Sequence, residues 1–91
     1  MSTEQRIRDK LSAAFAPSRL EVVNESHFHA GHVGSPGTGE SHFRVLILAP
    51  AFAAKSRVER HRLVNAALAA ELAGGVHALA IKALAPGEAA D

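Results

Sequence analysis

The chain has 91 residues, of which 47% are hydrophobic and 21% are charged, and its formal net charge is +1. A chain of this length has room for one domain with one modest core. Its small net charge excludes a protein that binds nucleic acid by bulk electrostatics alone. The sequence contains six histidines and no cysteine, which excludes disulfide-stapled scaffolds, thiolate zinc sites and thiol nucleophiles.

The first six residues are polar and no apolar stretch follows them, so we expect no signal peptide. The longest apolar run, 45–54, has ten residues, is interrupted by Pro50, and is much shorter than the roughly 20 residues of a membrane-spanning helix. We therefore expect a cytoplasmic protein.

The first predicted element is an amphipathic helix that begins near Thr3. Ser2 and Gln5 have the spacing of a capping box, in which each side chain bonds to the backbone of the other. Pro17 ends the helix, because proline disfavours helical geometry in the residue before it. The apolar residues recur every four positions and share one face of the helix: Ile7, Leu11 and Phe15.

Two strands with a long connection follow. Residues 19–24 and 42–48 alternate between polar and apolar side chains for most of their length, which predicts strands that are covered on one face. The segment 25–40 between them contains four of the seven glycines and three histidines. We predict a flexible loop here, and loops of this length are usually functional or disordered.

The second predicted helix runs from about Arg57 to Ala73 and is followed by the last strand. Ser56 and Glu59 repeat the capping-box spacing, and two glycines after Ala73 are typical of a helix end. The last strand extends from Val76 to about Leu84. Its alternation places three residues on one face: His77, Leu79 and Ile81.

The order αββαβ predicts an α/β fold with one domain over residues 1–91: a core of about 3–85, a flexible loop at 25–40 and a tail at 86–91. The hairpin makes the first two strands antiparallel, and a right-handed crossover makes the second and third parallel. We expect a three-stranded mixed sheet with two helices packed on one face.

Two glycine-containing segments partly match motifs of phosphate-binding and nucleic-acid-binding proteins. The segment 34–41 has the glycine spacing of a phosphate loop, yet Glu40 stands where a lysine is needed and would repel phosphate. Residues 31–34 match the GxxG clamp of KH domains, but they lie in a predicted hairpin instead of between two helices. Neither motif predicts a nucleotide site.

Four basic side chains lie at the start of the second predicted helix: Lys55, Arg57, Arg60 and Arg62. Such a run is usually a solvated helix face. The functional alternative is contact with the phosphates of a nucleic acid.

The histidines fall into two groups. We expect His61 to pack on the second helix and His42 to have a structural or surface role, whereas His77 fits the core and a ligand site equally well. The other three lie in the glycine-rich loop, where nothing explains them by packing and where metal or proton chemistry is favoured: His27, His29 and His32. These imidazoles form half of a metal site, so a partner has to supply the missing ligands.

Five ordered segments of the sequence together resemble the BolA family. The resemblance runs from the first helix to about Leu84, and it implies an α/β fold of the class II KH-like type. The matching segments are 24–29 (NESHFH), 40–45 (ESHFRV), 60–64 (RHRLV), 70–72 (AEL) and 76–79 (VHAL).

The resemblance implies a non-catalytic partner of monothiol glutaredoxins that carry a Cys-Gly-Phe-Ser active site. In such heterodimers a [2Fe-2S] cluster is bridged between the glutaredoxin cysteine with glutathione and the BolA-type protein. The family's C-terminal histidine ligand corresponds to His77, and its second ligand is a loop cysteine or histidine. Because this chain has no cysteine, we expect the histidine version, with His29 as the loop ligand and His32 as the alternative.

A rival function is implied by some bacterial relatives. These are DNA-binding transcriptional regulators acting in stress response and morphology control. In this chain such an activity would use Lys55, Arg57, Arg60 and Arg62. A zinc-only structural protein is disfavoured, because the sequence offers no complete ligand set.

Overall fold

The computed structural model describes residues 2–25 and 42–88. The helices and strands, in chain order, are α1 (Thr3–Phe15), β1 (Arg19–Asn24), β2 (His42–Leu48), α2 (Arg57–Ala67), α3 (Ala69–Ala73) and β3 (Ala78–Leu84). A single 3-10 turn, Pro50–Phe52, connects β2 to α2. Both predicted strands of the hairpin have the predicted bounds.

The sheet has the order β1-β2-β3, so β2 lies in the middle. β1 pairs with β2 antiparallel and β2 pairs with β3 parallel. In this register Val22 lies opposite Val45, and Val45 lies opposite Ile81. The predicted mixed sheet is confirmed.

The two capping boxes have different outcomes. At α2 both halves form: Ser56 Oγ accepts from the Glu59 N–H at 3.1 Å, and Glu59 Oε1 accepts from the Ser56 N–H at 3.0 Å. At α1 Ser2 Oγ accepts from the Gln5 N–H, but the Gln5 side chain donates to Asp9 Oδ1 at 2.8 Å. The side chain of Gln5 thus bonds forward along the helix.

The prediction of one continuous helix over 57–73 is wrong at Leu68. This residue has φ −105° and ψ 19°, and its N–H is shared between the carbonyls of Ala66 and Val64, so the chain forms α2 and then the short α3. The side chain of Leu68 is nevertheless buried. A break at one residue preserves the apolar spacing of Val64, Leu68 and Leu72, and for this reason the periodicity did not reveal it.

The core lies between one face of the sheet and the helices. The sheet contributes Val22, Phe43, Val45 and Ile47, and the buried partners from the helices and the 3-10 turn are Ile7, Leu11, Phe52, Val64 and Leu68. These contacts confirm that the helices cover a single face. On the other face Val23 and Arg44, which pair across β1 and β2, are exposed.

β3 begins two residues later than predicted. Val76 is buried, but its N–H donates to the Glu71 carbonyl at 3.1 Å, so its backbone belongs to the end of α3. His77 therefore precedes the strand. Within residues 2–25 and 42–88, no helix combines the length and the apolar character needed to cross a membrane.

Candidate functional site

His77 lies on the turn that carries the chain from α3 into β3, and its side chain is exposed. Gly75 enters this turn with φ 137°, a backbone conformation that side-chain-bearing residues rarely adopt. Val76, which is 6% exposed, fixes the turn to the core. A buried anchor on one side and a strand on the other thus hold an accessible imidazole at one end of the sheet.

His42 lies next to His77. It is the first residue of β2, and the parallel register pairs it with Ala78, the first residue of β3. The centroids of the two imidazole rings are 5.7 Å apart, and the ring planes are inclined by 45°. The sequence predicts only a structural or surface role for His42. The signal that could have found it is the parallel pairing itself, because parallel strands that begin in register bring their first residues together.

The predicted loop ligands His29 and His32, and also His27, lie outside the described residues, so their role stays a prediction. The two ends of the segment that carries them are nevertheless described. The Glu25 N–H donates to the His42 carbonyl at 2.8 Å, so this segment departs and returns beside His42. The described residues on both sides of 26–41 therefore lie at the same end of the sheet as His77.

The charged groups at this end of the sheet neutralise one another. Glu25 Oε2 and Arg44 Nε form an ion pair at 3.0 Å, with the Glu25 side chain mostly buried and that of Arg44 exposed. In the described ranges, no group of three or more histidine, cysteine, aspartate or glutamate side chains is arranged to hold a metal ion. His42 and His77 are the two described imidazoles at this end of the sheet.

The four predicted nucleic-acid contacts do not have equal access to solvent. Lys55, Arg57 and Arg62 are exposed, whereas Arg60 is only 8% exposed. Arg60 donates to the carbonyls of Lys55 and Ala83, both at 3.0 Å. The hydrogen bonds of its guanidinium go to groups within the chain and hold α2 against β3. Arg60 is therefore not available to bind a phosphate in this structure.

Glu88 completes the surroundings of Arg60. Its two carboxylate oxygens accept from Nη1 and Nη2 of Arg60 at 2.6 and 2.9 Å, and Oε1 also accepts from the Ala85 N–H at 3.0 Å. The hydrogen bonds from Arg60 and then from Ala85 lower the pKa of Glu88 to about 2, and the same pair raises the pKa of Arg60. The ion pair ties the residues after β3 to α2.

The expectation that His61 packs on its helix is wrong, because the residue is exposed. The buried side of α2 follows Arg60 and Val64 at a four-residue spacing, so the next position after Arg60 is rotated by about 100° away from it. His61 instead lines a cavity of about 690 Å³ between α2 and β3, whose other basic lining residues include Lys55, Arg57 and Lys82.

Comparisons with known proteins agree with this architecture. The family model described as "BolA-like protein" matches residues 11–88. An uncharacterized Sinorhizobium protein is 57% identical over 89 residues, covering 97% of this chain and 96% of its own. Human BolA-like protein 1 is 51% identical over 85 residues, which cover 93% of this chain but only 59% of the human protein.

The structural comparison gives the same result. The solved BolA domain of SufE1 from Arabidopsis thaliana superposes with a TM-score of 0.88 at 45% identity, and 98% of each chain is covered. A family model that spans most of the chain, together with these identities, is sufficient for an assignment. The chain belongs to the BolA-like family.

Proposed function

We propose that this chain is a non-catalytic iron–sulfur adaptor that pairs with a monothiol glutaredoxin and shares a bridging 2Fe–2S cluster with it. The observation that carries the proposal is the exposed His77 ring, held beside His42 at the end of the sheet where the histidine-rich segment is attached. Membership of the BolA-like family supports an adaptor or regulatory role rather than catalysis. The likeness to the BolA domain of SufE1 supports an iron–sulfur connection.

The donor atoms suit such a cluster. His77 and one loop histidine, His29 or alternatively His32, would bind one iron, and the glutaredoxin cysteine with glutathione would bind the other. Neutral imidazole in place of thiolate raises the reduction potential of a 2Fe–2S centre. Imidazole ligands must be deprotonated to bind, so the chain's hold on the cluster is expected to weaken as the pH falls.

The chain itself contributes a ligand, His77, on a backbone that is already fixed. The Val76 anchor and the start of β3 fix the backbone on both sides of His77, while the side chain stays exposed. A ligand that is already positioned costs less conformational entropy when the partner arrives than one on a free loop. His77 is therefore expected to be the principal ligand.

The test is a titration of a cluster-loaded monothiol glutaredoxin, in the presence of glutathione, with this chain. We expect the visible absorption spectrum to change as one cluster iron exchanges its ligands, and His77→Ala to abolish the change. His61→Ala is the matched control, because His61 is also exposed but lies beside the other end of β3. A spectral change that His77→Ala leaves intact would refute the ligand assignment.

The same titration with His29→Ala and His32→Ala identifies the loop ligand. We expect His29→Ala to alter the spectrum of the complex and His32→Ala to leave it unchanged. The opposite result would transfer the role to His32. An unchanged spectrum in a variant with both His29 and His32 replaced by alanine would refute the assignment of the loop ligand to either residue.

A second function, DNA-binding transcriptional regulation, is favoured by one observation. Lys55, Arg57 and Arg62 present three exposed cations around the first turns of α2. Phosphate contacts make affinity fall with salt, with a slope of about 0.9 per neutralised phosphate. Neutralising the three residues should flatten the salt dependence of duplex-DNA binding. An unaltered slope would remove this function, and Arg60 is left out of the set because its substitution would disturb the fold.

A further inference from the structure

We propose that His42 and His77 together form a site for a single divalent transition-metal ion, with Cu²⁺ as the tightest-bound ion, which this chain binds without any partner. The proposal goes beyond the adaptor function, with which it shares only His77. It adds a ligand, His42, and a different cargo, one ion in place of a cluster. The contact that carries it is the pair of imidazole rings at the paired ends of β2 and β3.

The distance between the rings suits chelation. With a metal–nitrogen bond of about 2.0 Å, each ring centre lies about 3.2 Å from the ion, and at the right angle of a tetragonal Cu²⁺ site the two centres are about 4.5 Å apart. The observed separation is 5.7 Å. Closing the difference requires a shift of about 1 Å, which rotation of the exposed His77 side chain can supply while the backbone stays in place.

The backbone at both histidines is fixed by the sheet and the core. His42 pairs with Ala78, and its carbonyl accepts from the Glu25 N–H, while His77 is held between buried Val76 and the first residue of β3. Sites built on strands keep their geometry better than sites built on loops; His42 lies in β2, and His77 directly precedes β3. Binding therefore orders mainly two side chains.

The donor set selects the class of ion. Two imidazole nitrogens suit Zn²⁺, Cu²⁺ and Ni²⁺, and the stability order of such complexes places Cu²⁺ first. Mg²⁺ and Ca²⁺ prefer oxygen ligands. The nearby carboxylate of Glu25 is paired with Arg44 at 3.0 Å, so the site is defined by the imidazoles.

The experiment is a titration of the isolated chain with CuCl₂ at neutral pH, without glutaredoxin or cluster, followed by calorimetry and by visible absorption. We expect one ion per chain, and a weakening of more than about 10-fold for His42→Ala and for His77→Ala, since losing even an outer-shell partner of a metal ligand costs about 10- to 100-fold. His61→Ala, an exposed histidine elsewhere, should bind as the unaltered chain does.

The loop histidines need their own control. In a variant with His27, His29 and His32 all replaced by alanine, the proposed site should still bind one Cu²⁺, and a further His42→Ala substitution should abolish this binding. If the triple variant binds no copper, or if His42→Ala does not weaken it, the proposal is refuted. In the unaltered chain, NMR should show Cu²⁺ broadening the ring signals of both His42 and His77, and sharp His42 signals at one equivalent would also refute it.

The two proposals fail in different ways. If copper binds as expected but the His77→Ala variant still causes the spectral change of the cluster-loaded glutaredoxin, the assignment of His77 as a cluster ligand is refuted. The copper site at His42 and His77 is then still supported. If the spectral change requires His77 while His42→Ala leaves copper binding intact, the proposed copper site is refuted. The proposed adaptor function is then still supported.

Discussion

Phe52 is the side chain whose removal should most disturb the core while leaving every candidate ligand in place. It lies in the 3-10 turn between β2 and α2, it is fully buried, and its ring centroid is 5.0 Å from that of Phe15. Its carbonyl also accepts from the Lys55 N–H at 3.2 Å, at the start of the basic segment. Truncation to alanine would empty the junction between α1 and α2.

The expected cost of Phe52→Ala is about 4 kcal/mol. Burying a phenylalanine side chain contributes about 1.5–3 kcal/mol, and the cavity left behind raises the cost of Phe→Ala substitutions in cores to about 3–5 kcal/mol. A domain of this length has a free energy of unfolding of roughly 5–14 kcal/mol. The substitution thus removes a large part of the stability, and it should lower the melting temperature by about 15–30 °C.

Urea unfolding followed by far-ultraviolet circular dichroism measures this loss. Phe52→Leu should cost less than about 1.5 kcal/mol, because it conserves most of the volume. Val58→Ala, an exposed apolar position at the start of α2, should stay within about 0.5 kcal/mol of the unaltered chain. A loss of less than about 1 kcal/mol for Phe52→Ala would refute the assignment of Phe52 to the core.

Three further substitutions test the polar and backbone features. The folded-state pKa of Glu88 is about 2 against an ordinary 4.5, so its stabilising pair with Arg60 is present above pH 4.5 and is lost as the pH falls toward 2. Glu88→Gln should therefore unfold at a lower urea concentration than the unaltered chain at neutral pH, and the two chains should unfold at nearly the same concentration near pH 2. If the two chains have the same urea midpoint at neutral pH as well, this prediction is contradicted. Ser56→Ala removes the α2 cap and should lower the free energy of unfolding by about 1 kcal/mol in the same assay. An unchanged free energy of unfolding would mean that the capping box does not stabilise the fold. Gly75→Ala forces a side chain into φ 137°, so it should cost about 1–3 kcal/mol and shift the NMR signals of His77, and an unchanged spectrum would show that this turn does not position the histidine.

Much of the fold was predictable because local signals and tertiary contacts agree. The alternation in 19–24 and 42–48 gave the bounds of β1 and β2, and the spacing of Ser56 and Glu59 gave the start of α2. The break at Leu68 was not predictable from periodicity, since one non-helical residue leaves the apolar stripe intact. The late start of β3 depends on the hydrogen bond from the Val76 N–H to the Glu71 carbonyl, which keeps the backbone of Val76 at the end of α3. The apolar alternation includes Val76 and does not show where its backbone bonds.

The candidate site was predicted in part. His77 was identified from the resemblance of its segment to the BolA family, and the structure shows that the residue is exposed. His42 was assigned no ligand role, since 35 positions separate it from His77 and only the parallel pairing of β2 with β3 removes that separation. Arg60 was grouped with its basic neighbours because a charge run does not show which member turns inward.

By itself the sequence determined the order of the three strands and the helical segments, the faces of the strands, the serine caps of α1 and α2, and the restriction to imidazole ligands, because these follow from composition and short-range spacing. Only the tertiary structure decided which charged and titratable side chains meet. It brought His42 to His77 at the paired starts of two parallel strands, and it buried Arg60 against Ala83 and Glu88. The physical reason is that such contacts depend on strand register and on helix rotation about its axis, which are set when the helices pack on the sheet.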